Sequence, residues 1–323
     1  MASASRASQP RVVITETLRD EAAHWLAQRC EVVWHKHDED GFDDAIADAQ
    51  GLVVRTYTQV NEELLDKAPN LKVVGRAGVG LDNIDVEACR ARGIEVVYTP
   101  DANTQAVVEY VLGLMLDHVR PRSPLPVSVS GSKFHELRQS EVGRQLDRLT
   151  LGILGHGRIG RRVGAVAHVL GMNVHVCDLL SEAQLRKASE YPFEFVDHDK
   201  LYRESDILTI HVDGRPGNRQ MIGASVLDRL KEGVLLINAA RGMLVDANAL
   251  AQWARDHPDS AAVLDVHDPE PPPAEYSLYG LPNVRLLPHL ASRTDTAMAN
   301  MSWVVRDVAA VLEGETPKAP APA

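Results

Sequence analysis

The stretch Leu149–Asp178 reads LTLGILGHGRIGRRVGAVAHVLGMNVHVCD and decides the fold of this chain. An apolar run typical of a β-strand, Leu149–Leu154, leads into a glycine-rich turn, Gly155–Gly160. A segment compatible with a helix follows, and a second strand-like run, Asn173–Cys177, ends at Asp178. A strand, a G-x-G-x-x-G turn, a helix, a second strand and an acid in this order indicate a dinucleotide-binding βαβ unit.

The three glycines of the turn suit the binding of a pyrophosphate. Gly155 allows a tight turn, Gly157 lets the backbone approach the phosphates, and Gly160 lets the helix pack closely against the strand. The N-terminus of the helix then offers N–H groups and the positive end of a dipole to the phosphates. The turn could instead belong to an ordinary α/β fold, but the flanking strands and the acid favour the dinucleotide site.

Asp178 predicts which dinucleotide is bound. Its carboxylate can accept hydrogen bonds from both ribose hydroxyls of NAD, whereas the 2′-phosphate of NADP would meet a like charge. At about 4 Å and an effective dielectric constant of about 20, this repulsion is on the order of 4 kcal/mol before screening. Leu179 and Leu180 follow and offer no arginine to offset it. The sequence therefore predicts NAD as the cofactor.

The composition is that of a soluble globular protein: of 323 residues, 45% are hydrophobic and 24% are charged. The formal net charge of −11 argues against nucleic acid as a partner. No apolar run of about 20 residues could cross a membrane, and Met1–Pro10 lacks the apolar core of a signal peptide. The three cysteines have no CxxC spacing and are interpreted as reduced thiols, so we expect a cytoplasmic protein. Met1–Pro10 and Pro317–Ala323 are predicted to be disordered.

Strand-like and helical runs alternate along most of the chain, from Arg11 to about Thr99 and again from Leu149 to Leu287. This alternation predicts parallel sheets with helices on both faces. A last helix, Thr294–Glu313, is expected to cross back onto the first domain. The polar cluster His35–Asp40 has no second cluster of ligands, so it is interpreted as a solvated loop and no metal site is predicted.

Three polar segments that follow predicted strands supply a candidate catalytic set: Asn238–Gly242, Asp265–Glu270 and Pro288–Ser292. Doubly wound sheets hold their ligands at the carboxyl ends of the strands. The guanidinium of Arg241 can bind a substrate carboxylate bidentately and polarise the reacting oxygen. His289 can remove the hydroxyl proton as a hydride leaves carbon 2 for the nicotinamide, and a carboxylate behind the imidazole fixes its tautomer. This set suits the oxidation of a 2-hydroxy acid.

With these motifs the chain resembles the D-isomer-specific 2-hydroxyacid dehydrogenase family, from about Arg11 to Glu313. The resemblance rests on LKVVGRAGVGLDNID at Leu71–Asp85, NAARG at Asn238–Gly242, LDVHDPEP at Leu264–Pro271 and PHLAS at Pro288–Ser292. It implies that Arg241 anchors the substrate carboxylate and that Glu270 pairs with His289, the general base.

The resemblance and the glycine fingerprint together predict the remaining contacts. The predicted cofactor contacts are Gly155, Gly157, Arg158, Ile159, Gly160, Asp178, His211, Ala239, Ala240 and Asp265, the last facing the nicotinamide carboxamide. The predicted substrate contacts are Arg55, Arg76, the N–H groups of Val79 and Gly80, Asn103 and Arg241. The loop after His211 reads Val212-Asp213-Gly214 and departs from the family's usual sequence, which alters a wall near the cofactor.

The implied architecture is α/β with two Rossmann-like domains, in which a doubly wound, parallel, NAD-binding sheet is inserted into a flavodoxin-like substrate domain. The predicted boundaries assign residues 1–101 and 292–323 to the substrate domain and residues 102–291 to the NAD-binding domain. Family members are usually dimeric, so a homodimer through a segment like Arg120–Arg148 is expected. The chain ends at residue 323, and we expect no C-terminal regulatory domain.

Within the family, the sequence looks most like a 3-phosphoglycerate dehydrogenase. Arg55 and Arg76 match arginines that are associated there with the phosphate end of the substrate. Similar arginines occur in relatives that use unphosphorylated acids, so hydroxypyruvate or glyoxylate reduction is the alternative, as is oxidation of a phosphonate analogue. An NAD-sensing, corepressor-like binding protein is a more distant alternative. The intact Arg241, Glu270 and His289 favour an enzyme acting on a small anionic 2-hydroxy or 2-oxo acid.

Overall fold

A computed structural model of the chain describes residues 9–122, 124–125 and 128–322. The predicted disorder of residues 1–8 lies outside the described residues, as do Ser123, Pro126 and Val127 of the expected dimer segment. The chain divides into two compact units. Unit 1 comprises Met1–Asn103 and Ser292–Ala323, and unit 2 comprises Thr104–Ala291.

The N-terminal part of unit 1 alternates strands and helices along one parallel sheet. Its strands are β1 (Arg11–Ile14), β2 (Glu31–Trp34), β3 (Gly51–Val54), β4 (Val73–Arg76) and β5 (Glu95–Tyr98). Its helices are α1 (Asp20–Ala27), α2 (Phe42–Ala47), α3 (Glu62–Lys67) and α4 (Val86–Ala91). The strand order β2-β1-β3-β4-β5 is the flavodoxin-like order.

Unit 2 contains a second parallel sheet of seven strands. They are β6 (Thr150–Leu154), β7 (Asn173–Cys177), β8 (Glu194–Phe195), β9 (Ile207–Ile210), β10 (Leu235–Asn238), β11 (Ala261–Leu264) and β12 (Val284–Leu286). Its helices are α5 (Thr104–Val119), α6 (Gly131–Ser140), α7 (Arg158–Val169), α8 (Glu182–Ala188), α9 (His198–Glu204), α10 (Ala224–Leu227) and α11 (Ala247–Asp256). The order β12-β11-β10-β9-β6-β7-β8 is the Rossmann order with one further strand. The predicted fold class, α/β with two parallel sheets, is confirmed.

The core of unit 2 follows from the two-residue period of its central strand, β6. Leu151 and Ile153 are buried with Val163 of α7 on one face of the sheet. Leu154 is buried with Leu208 of β9 on the other face. A strand covered by helices on both faces must be apolar throughout, which is the pattern by which the sequence predicts this strand.

The predicted last helix is two helices in unit 1, α12 (Asp295–Ser302) and α13 (Val305–Leu312). Ser302 explains the interruption, because its hydroxyl donates to the carbonyl of Met298, four residues earlier, and accepts the N–H of Arg19. Such side-chain bonds compete with the helical pattern and bend helices. Helix α13 packs against β3, β4 and β5, so the predicted return to the first sheet is correct.

The predicted disorder of Pro317–Ala323 is wrong over its described part. Pro320 forms an antiparallel bridge with Val97 of the outer strand β5. Ala321 is buried in the core of unit 1, and Arg90 donates to the carbonyl of Ala321 at 3.0 Å. A proline- and alanine-rich composition indicates little core of its own, but the open backbone groups of an outer strand offer such a segment partners.

Within the described ranges, no helix is both long and apolar enough to span a bilayer. In the same ranges, no cluster of three or more His, Cys, Asp and Glu side chains could hold a metal ion. Each of the three cysteines is buried as a free thiol.

Candidate active site

The predicted cofactor and catalytic residues of unit 2 all follow the carboxyl ends of its strands. The glycine turn follows β6, Asp178 follows β7 and His211 follows β9. Further along the same edge, Arg241 lies three residues beyond the end of β10, and His289 lies three residues beyond the end of β12. The parallel sheet therefore brings these side chains to one edge of unit 2.

The glycine turn is held in place by its neighbours. Gly155 has a φ of +93°, and a Cβ there would lie 2.8 Å from the backbone carbon of His211. A Cβ at Gly160 would lie 2.1 Å from the carbonyl oxygen of Gly155. Among the described residues, a Cβ at Gly157 would meet nothing within 4 Å, and no side chain caps the N-terminus of α7. Open backbone and uncapped N–H groups fit a pyrophosphate.

Asp178 organises the same turn from the end of β7. Its Oδ2 accepts the N–H of His156 at 2.6 Å, and its Oδ1 accepts the N–H of Leu180 at 2.9 Å. The carboxylate is half-buried, so it keeps exposed surface for further donors. Two hydroxyl donors, such as those of a ribose, could use the remaining lone pairs.

Two histidines beside the turn are held neutral. His156 is buried, and burial lowers its pKa to about 4. Its Nε2 lies 3.0 Å from the hydroxyl of Ser189. Burial, together with the nearby His156, lowers the pKa of His211 to about 3. His211 is a predicted cofactor contact, whereas sequence reasoning missed His156. Neutral rings add no positive charge to this part of the edge.

The loop that carries Arg241 is shaped by Asn238, the last residue of β10. The Asn238 amide donates to the carbonyl of Arg241 at 2.8 Å and accepts the N–H of Ala240 at 3.1 Å. Arg241 itself is half-buried, and its Nη1 donates to the carbonyl of Ala240 at 2.7 Å. A side chain thus holds the turn that presents the guanidinium.

Glu270 and His289 form the hydrogen-bonded pair that the family resemblance implied. Nδ1 of His289 lies 2.8 Å from Oε2 of Glu270. Burial would raise the pKa of Glu270, but the hydrogen bonds from His289 and from the backbone of His267 lower it below its ordinary value. Since a charged carboxylate only accepts, Nδ1 of His289 carries the proton and Nε2 is left with a lone pair. That nitrogen can act as a base.

Asp265 holds the turn that presents His289. Its Oδ1 accepts the N–H of Leu290 and its Oδ2 accepts the N–H of Ala291, both at 2.8 Å. The hydroxyl of Tyr110 also donates to Oδ1, at 2.9 Å. His289 adopts a φ of +54°, and its N–H donates to the carbonyl of Asp265. The Asp265 side chain has no exposed surface, so the contacts it shows are internal and its contact with nicotinamide stays a prediction.

The predicted substrate residues of unit 1 follow the carboxyl ends of its strands. Arg76 ends β4, and its Nη1 donates to the carbonyl of Ala77 at 2.9 Å. In the described part of the chain, the N–H groups of Val79 and Gly80 have no hydrogen-bond acceptor, so they are open to a ligand. Asn103 has a buried Oδ1 to which none of the described residues donates.

Arg55, which follows β3, is 8% exposed, and burial lowers the pKa of its guanidinium. Nη1 donates to the carbonyl of Thr17 at 3.2 Å, and Nη2 contacts the sulfur of Met298 at 3.1 Å. No carboxylate among the described residues forms a salt bridge with this guanidinium. Arg19 and Arg293 both add positive charge nearby. The nearby carboxylate of Glu16 acts in the opposite direction but is weaker than burial, so the net pKa stays lowered. A buried cation that no salt bridge balances is costly, which is consistent with an anionic ligand.

Two polar side chains that sequence reasoning missed hold the Arg55 loop. Glu16 accepts the N–H groups of Arg55 at 3.0 Å, of Thr56 at 2.9 Å and of residues 57–58. The amide of Asn83 donates to the carbonyl of Arg55 at 3.2 Å. Both side chains lie far from Arg55 in sequence, so no local pattern could have revealed them.

Comparison with known proteins decides which family this geometry belongs to. Residues 112–291 match the family model described as D-isomer specific 2-hydroxyacid dehydrogenase, NAD binding domain. The chain belongs to this family. This confirms the predicted NAD cofactor. It also confirms the predicted enzyme class, the NAD-dependent oxidoreductases.

The similarity to individual proteins extends over most of the chain. It is 36% identical over 258 residues to a D-3-phosphoglycerate dehydrogenase of Archaeoglobus fulgidus, covering 80% of this chain and 48% of that one. It is 34% identical over 291 residues to a hydroxypyruvate reductase of Thermotoga maritima, covering 89% and 93%. The solved TT0316 protein of Thermus thermophilus has a TM-score of 0.83 and 32% identity, covering 97% and 100%. The chain therefore spans about half of the phosphoglycerate dehydrogenase and nearly all of the reductase.

Proposed function

We propose that this D-2-hydroxyacid dehydrogenase transfers a hydride between NAD and carbon 2 of a small D-2-hydroxy acid that carries a second anionic group such as phosphate. The hydrogen-bonded pair of Glu270 and His289 is the main support for the proposed reaction. It leaves Nε2 of His289 free to act as a base, at the same edge of the sheet as the glycine turn. The buried guanidinium of Arg55 carries the proposal for the second anion.

In the proposed reaction, His289, Glu270 and Arg241 have separate roles. When bound, NAD supplies the hydride acceptor for the oxidation. Nε2 of His289 takes the hydroxyl proton while Glu270 stabilises the imidazolium through Nδ1. Arg241 binds the carboxylate of the substrate. In the opposite direction, His289 returns the proton to the carbonyl oxygen.

The test of the reaction is the substitution His289→Ala. Turnover is expected to fall by roughly 10²–10⁴-fold because the base is lost. NADH binding, measured by fluorescence titration, should stay nearly unchanged, since the ring is not a predicted cofactor contact. Retention of most of the activity would remove His289 from the mechanism.

The substrate class is tested by steady-state oxidation of NADH with phosphohydroxypyruvate, hydroxypyruvate, glyoxylate and pyruvate. We expect kcat/KM for phosphohydroxypyruvate to exceed that for the other three acids by about 10²-fold or more. Two charge-assisted contacts, from Arg55 and Arg76, can supply this difference. Arg55→Met should remove most of the preference while sparing glyoxylate. Arg11→Met, which removes an arginine from the other end of the same sheet, is the matched control.

Hydroxypyruvate or glyoxylate reduction is the second candidate. It is favoured by the similarity to a hydroxypyruvate reductase, which at 34% identity over 89% of this chain is comparable to the 36% over 80% found with the phosphoglycerate dehydrogenase. Equal or better use of hydroxypyruvate or glyoxylate would establish it and would assign Arg55 to structure. The third alternative is a dehydrogenase of a phosphonate analogue. Adding that analogue to the panel would test it, since the enzyme would then prefer the phosphonate to the phosphorylated acid.

We also propose that the enzyme is a cytoplasmic homodimer that uses the segment 120–148. Three buried free thiols are typical of a reducing compartment. Helix α6 lies in this segment and buries none of its side chains, and Phe134 on it is 43% exposed. A helix with no buried face is stabilised by a partner more readily than by its own propensity.

A further inference from the structure

His267 lies between Asp265 and Glu270 in the loop after β11 and is 9% exposed. Its backbone N–H donates to Oε1 of Glu270 at 2.8 Å. The other oxygen of this carboxylate contacts His289. His267 therefore fixes the side of Glu270 that faces away from the base.

The ring of His267 is tied to the segment that carries the base. Its Nε2 lies 2.9 Å from the carbonyl oxygen of Leu287, two residues before His289. The same carbonyl accepts the N–H of His289 at 3.1 Å. His267 thus contacts Glu270 through its backbone N–H and the segment that carries His289 through its ring.

The loop of the substrate-binding arginine also rests on His267. A Cβ at Gly242, the residue after Arg241, would lie 2.0 Å from both the backbone carbon and the carbonyl oxygen of His267. Only a glycine permits so close an approach. His267 is therefore in contact with the segments that carry all three predicted catalytic residues.

Only one of the two nitrogen atoms of the His267 ring forms a hydrogen bond with the described residues. A carbonyl oxygen only accepts, so Nε2 of His267 carries the proton and Nδ1 has the lone pair. Nδ1 is buried, and no donor from the described residues reaches it. An unsatisfied acceptor is a cost that an apolar ring would avoid, and the edge contact with Tyr276 would suit a phenyl ring as well. Among the described residues, the bond to Leu287 is therefore the one contribution that a histidine ring makes and a phenyl ring would not.

We propose that His267 is a positioning residue that keeps Glu270 and His289 at hydrogen-bond distance by tying their two loops together. The inference rests on the proposed function, in which this pair moves the proton. In this proposal the His267 side chain acts through the other two residues.

The experiment compares His267→Phe with His267→Gln. The phenyl ring keeps the packing and loses the bond to Leu287, whereas the glutamine amide can restore a donor near the position of Nε2. We expect His267→Phe to lower kcat about 3- to 10-fold, the value of one hydrogen bond, with the KM for NADH unchanged. His267→Gln should recover most of the loss.

The pH profile separates positioning from a merely structural role. His289 and His267 are the groups that lower the pKa of Glu270, so looser contacts raise it. The pH profile of kcat/KM should then differ from that of the wild type in His267→Phe and return to it in His267→Gln. His257→Phe is the matched control, because that ring also bonds a backbone carbonyl, of Trp253 at 2.9 Å, away from the pair.

An unchanged kcat and pH profile in His267→Phe would overturn the proposal. So would a loss of activity that follows a lower Tm and is not recovered by His267→Gln. Nitrogen-15 NMR of the His289 ring provides a readout that needs no turnover: the Nδ1–H form should be less populated in His267→Phe. If no acid in the panel is turned over, the proposed function fails while this spectrum still decides the role of His267.

Discussion

At the scale of single residues, two acids in one loop have different tasks because their surroundings differ. Asp265 is fully buried and its oxygens accept two backbone N–H groups and the hydroxyl of Tyr110. Glu270, five residues later, keeps 23% of its side chain exposed and faces His289. Position after a strand is visible in the sequence, but the number of donors that reach each carboxylate is not.

The sequence also could not show which cation lies near Asp178. Arg215 forms a bidentate pair with Asp213, at 2.7 and 2.5 Å. The pKa of Arg215 is raised mainly by this bond and, at longer range, by Asp178. An arginine 37 positions along the chain therefore lies within the field of the acid that was predicted to select NAD.

Asp178→Ala is expected to narrow the preference for NADH over NADPH. Removing the carboxylate removes a repulsion on the order of 4 kcal/mol and leaves Arg215 to attract the 2′-phosphate. The ratio of the two kcat/KM values measures the effect. Adding Arg215→Ala should cancel the gain with NADPH, and an unaltered ratio in both variants would mean that another group selects the cofactor.

At the scale of elements, the glycines of the turn before α7 separate folding from binding. Gly160→Ala should lower the free energy of unfolding by about 1–3 kcal/mol, because its Cβ meets the backbone oxygen of Gly155. Gly157→Ala should leave stability unchanged, since a Cβ there meets nothing within 4 Å, and should weaken NADH binding about tenfold or more. Urea unfolding and fluorescence titration measure both. Full NADH affinity in Gly157→Ala would place the pyrophosphate elsewhere.

Asp206 ties β6 to β9 before either strand reaches the active edge. Its carboxylate is 7% exposed and accepts bonds from the N–H of Thr150 at 2.9 Å, Arg144 at 2.6 Å and Lys231 at 2.9 Å. Burial would raise the pKa of Asp206, but these three donors outweigh it and lower the pKa. The resulting stabilisation is present above the unfolded pKa of about 3.9 and is lost as pH falls through the lower folded value.

Asp206→Asn should therefore reduce the free energy of unfolding at pH 7 by about 1.5–3 kcal/mol. The difference from wild type should shrink as pH falls below about 4, because the wild-type carboxylate then becomes neutral as well. Urea unfolding at a series of pH values measures it. Asp199→Asn, at an exposed ion pair with Arg203, should change stability less. A difference that is independent of pH would show that shape, not charge, matters at Asp206.

Sequence reasoning succeeded for elements with a clear period and failed where tertiary contacts decide. The predicted strand Asn173–Cys177 has the observed bounds, because an apolar run between two turns has few other interpretations. Strand β8 has two residues, Glu194–Phe195, and is too short for any period to show. The break between α12 and α13 depends on the bond from Arg19 to Ser302, which joins residues far apart in sequence.

At the scale of the whole molecule, the proposed dimer is the feature most open to test. Light scattering on the purified protein should give twice the mass of a single chain. Phe134→Glu should shift the mass towards that of a single chain, because a charge replaces an apolar side chain on α6. Val169→Glu, at an 83% exposed position outside the segment, is the control. A wild-type mass equal to one chain would refute the dimer.

The strand order of both sheets could be anticipated once the family was suspected, since the alternation of strands and helices restricts the connections. The substrate could not, because the proposed second anion would be bound by Arg55, whose loop is held by Glu16 and Asn83. Those contacts join separate elements of unit 1. The class of reaction was therefore readable from motifs, and its specificity was not.

The antiparallel pairing of the C-terminal segment with β5 has a consequence for how the protein behaves when concentrated or refolding. An open outer strand is a template on which a second chain can add its own strand and begin to aggregate. Pro320 occupies that position beside Val97, and a proline has no N–H with which to continue the ladder outward. The segment around Pro320 thus covers the β5 edge of this sheet and hinders the association of another molecule there.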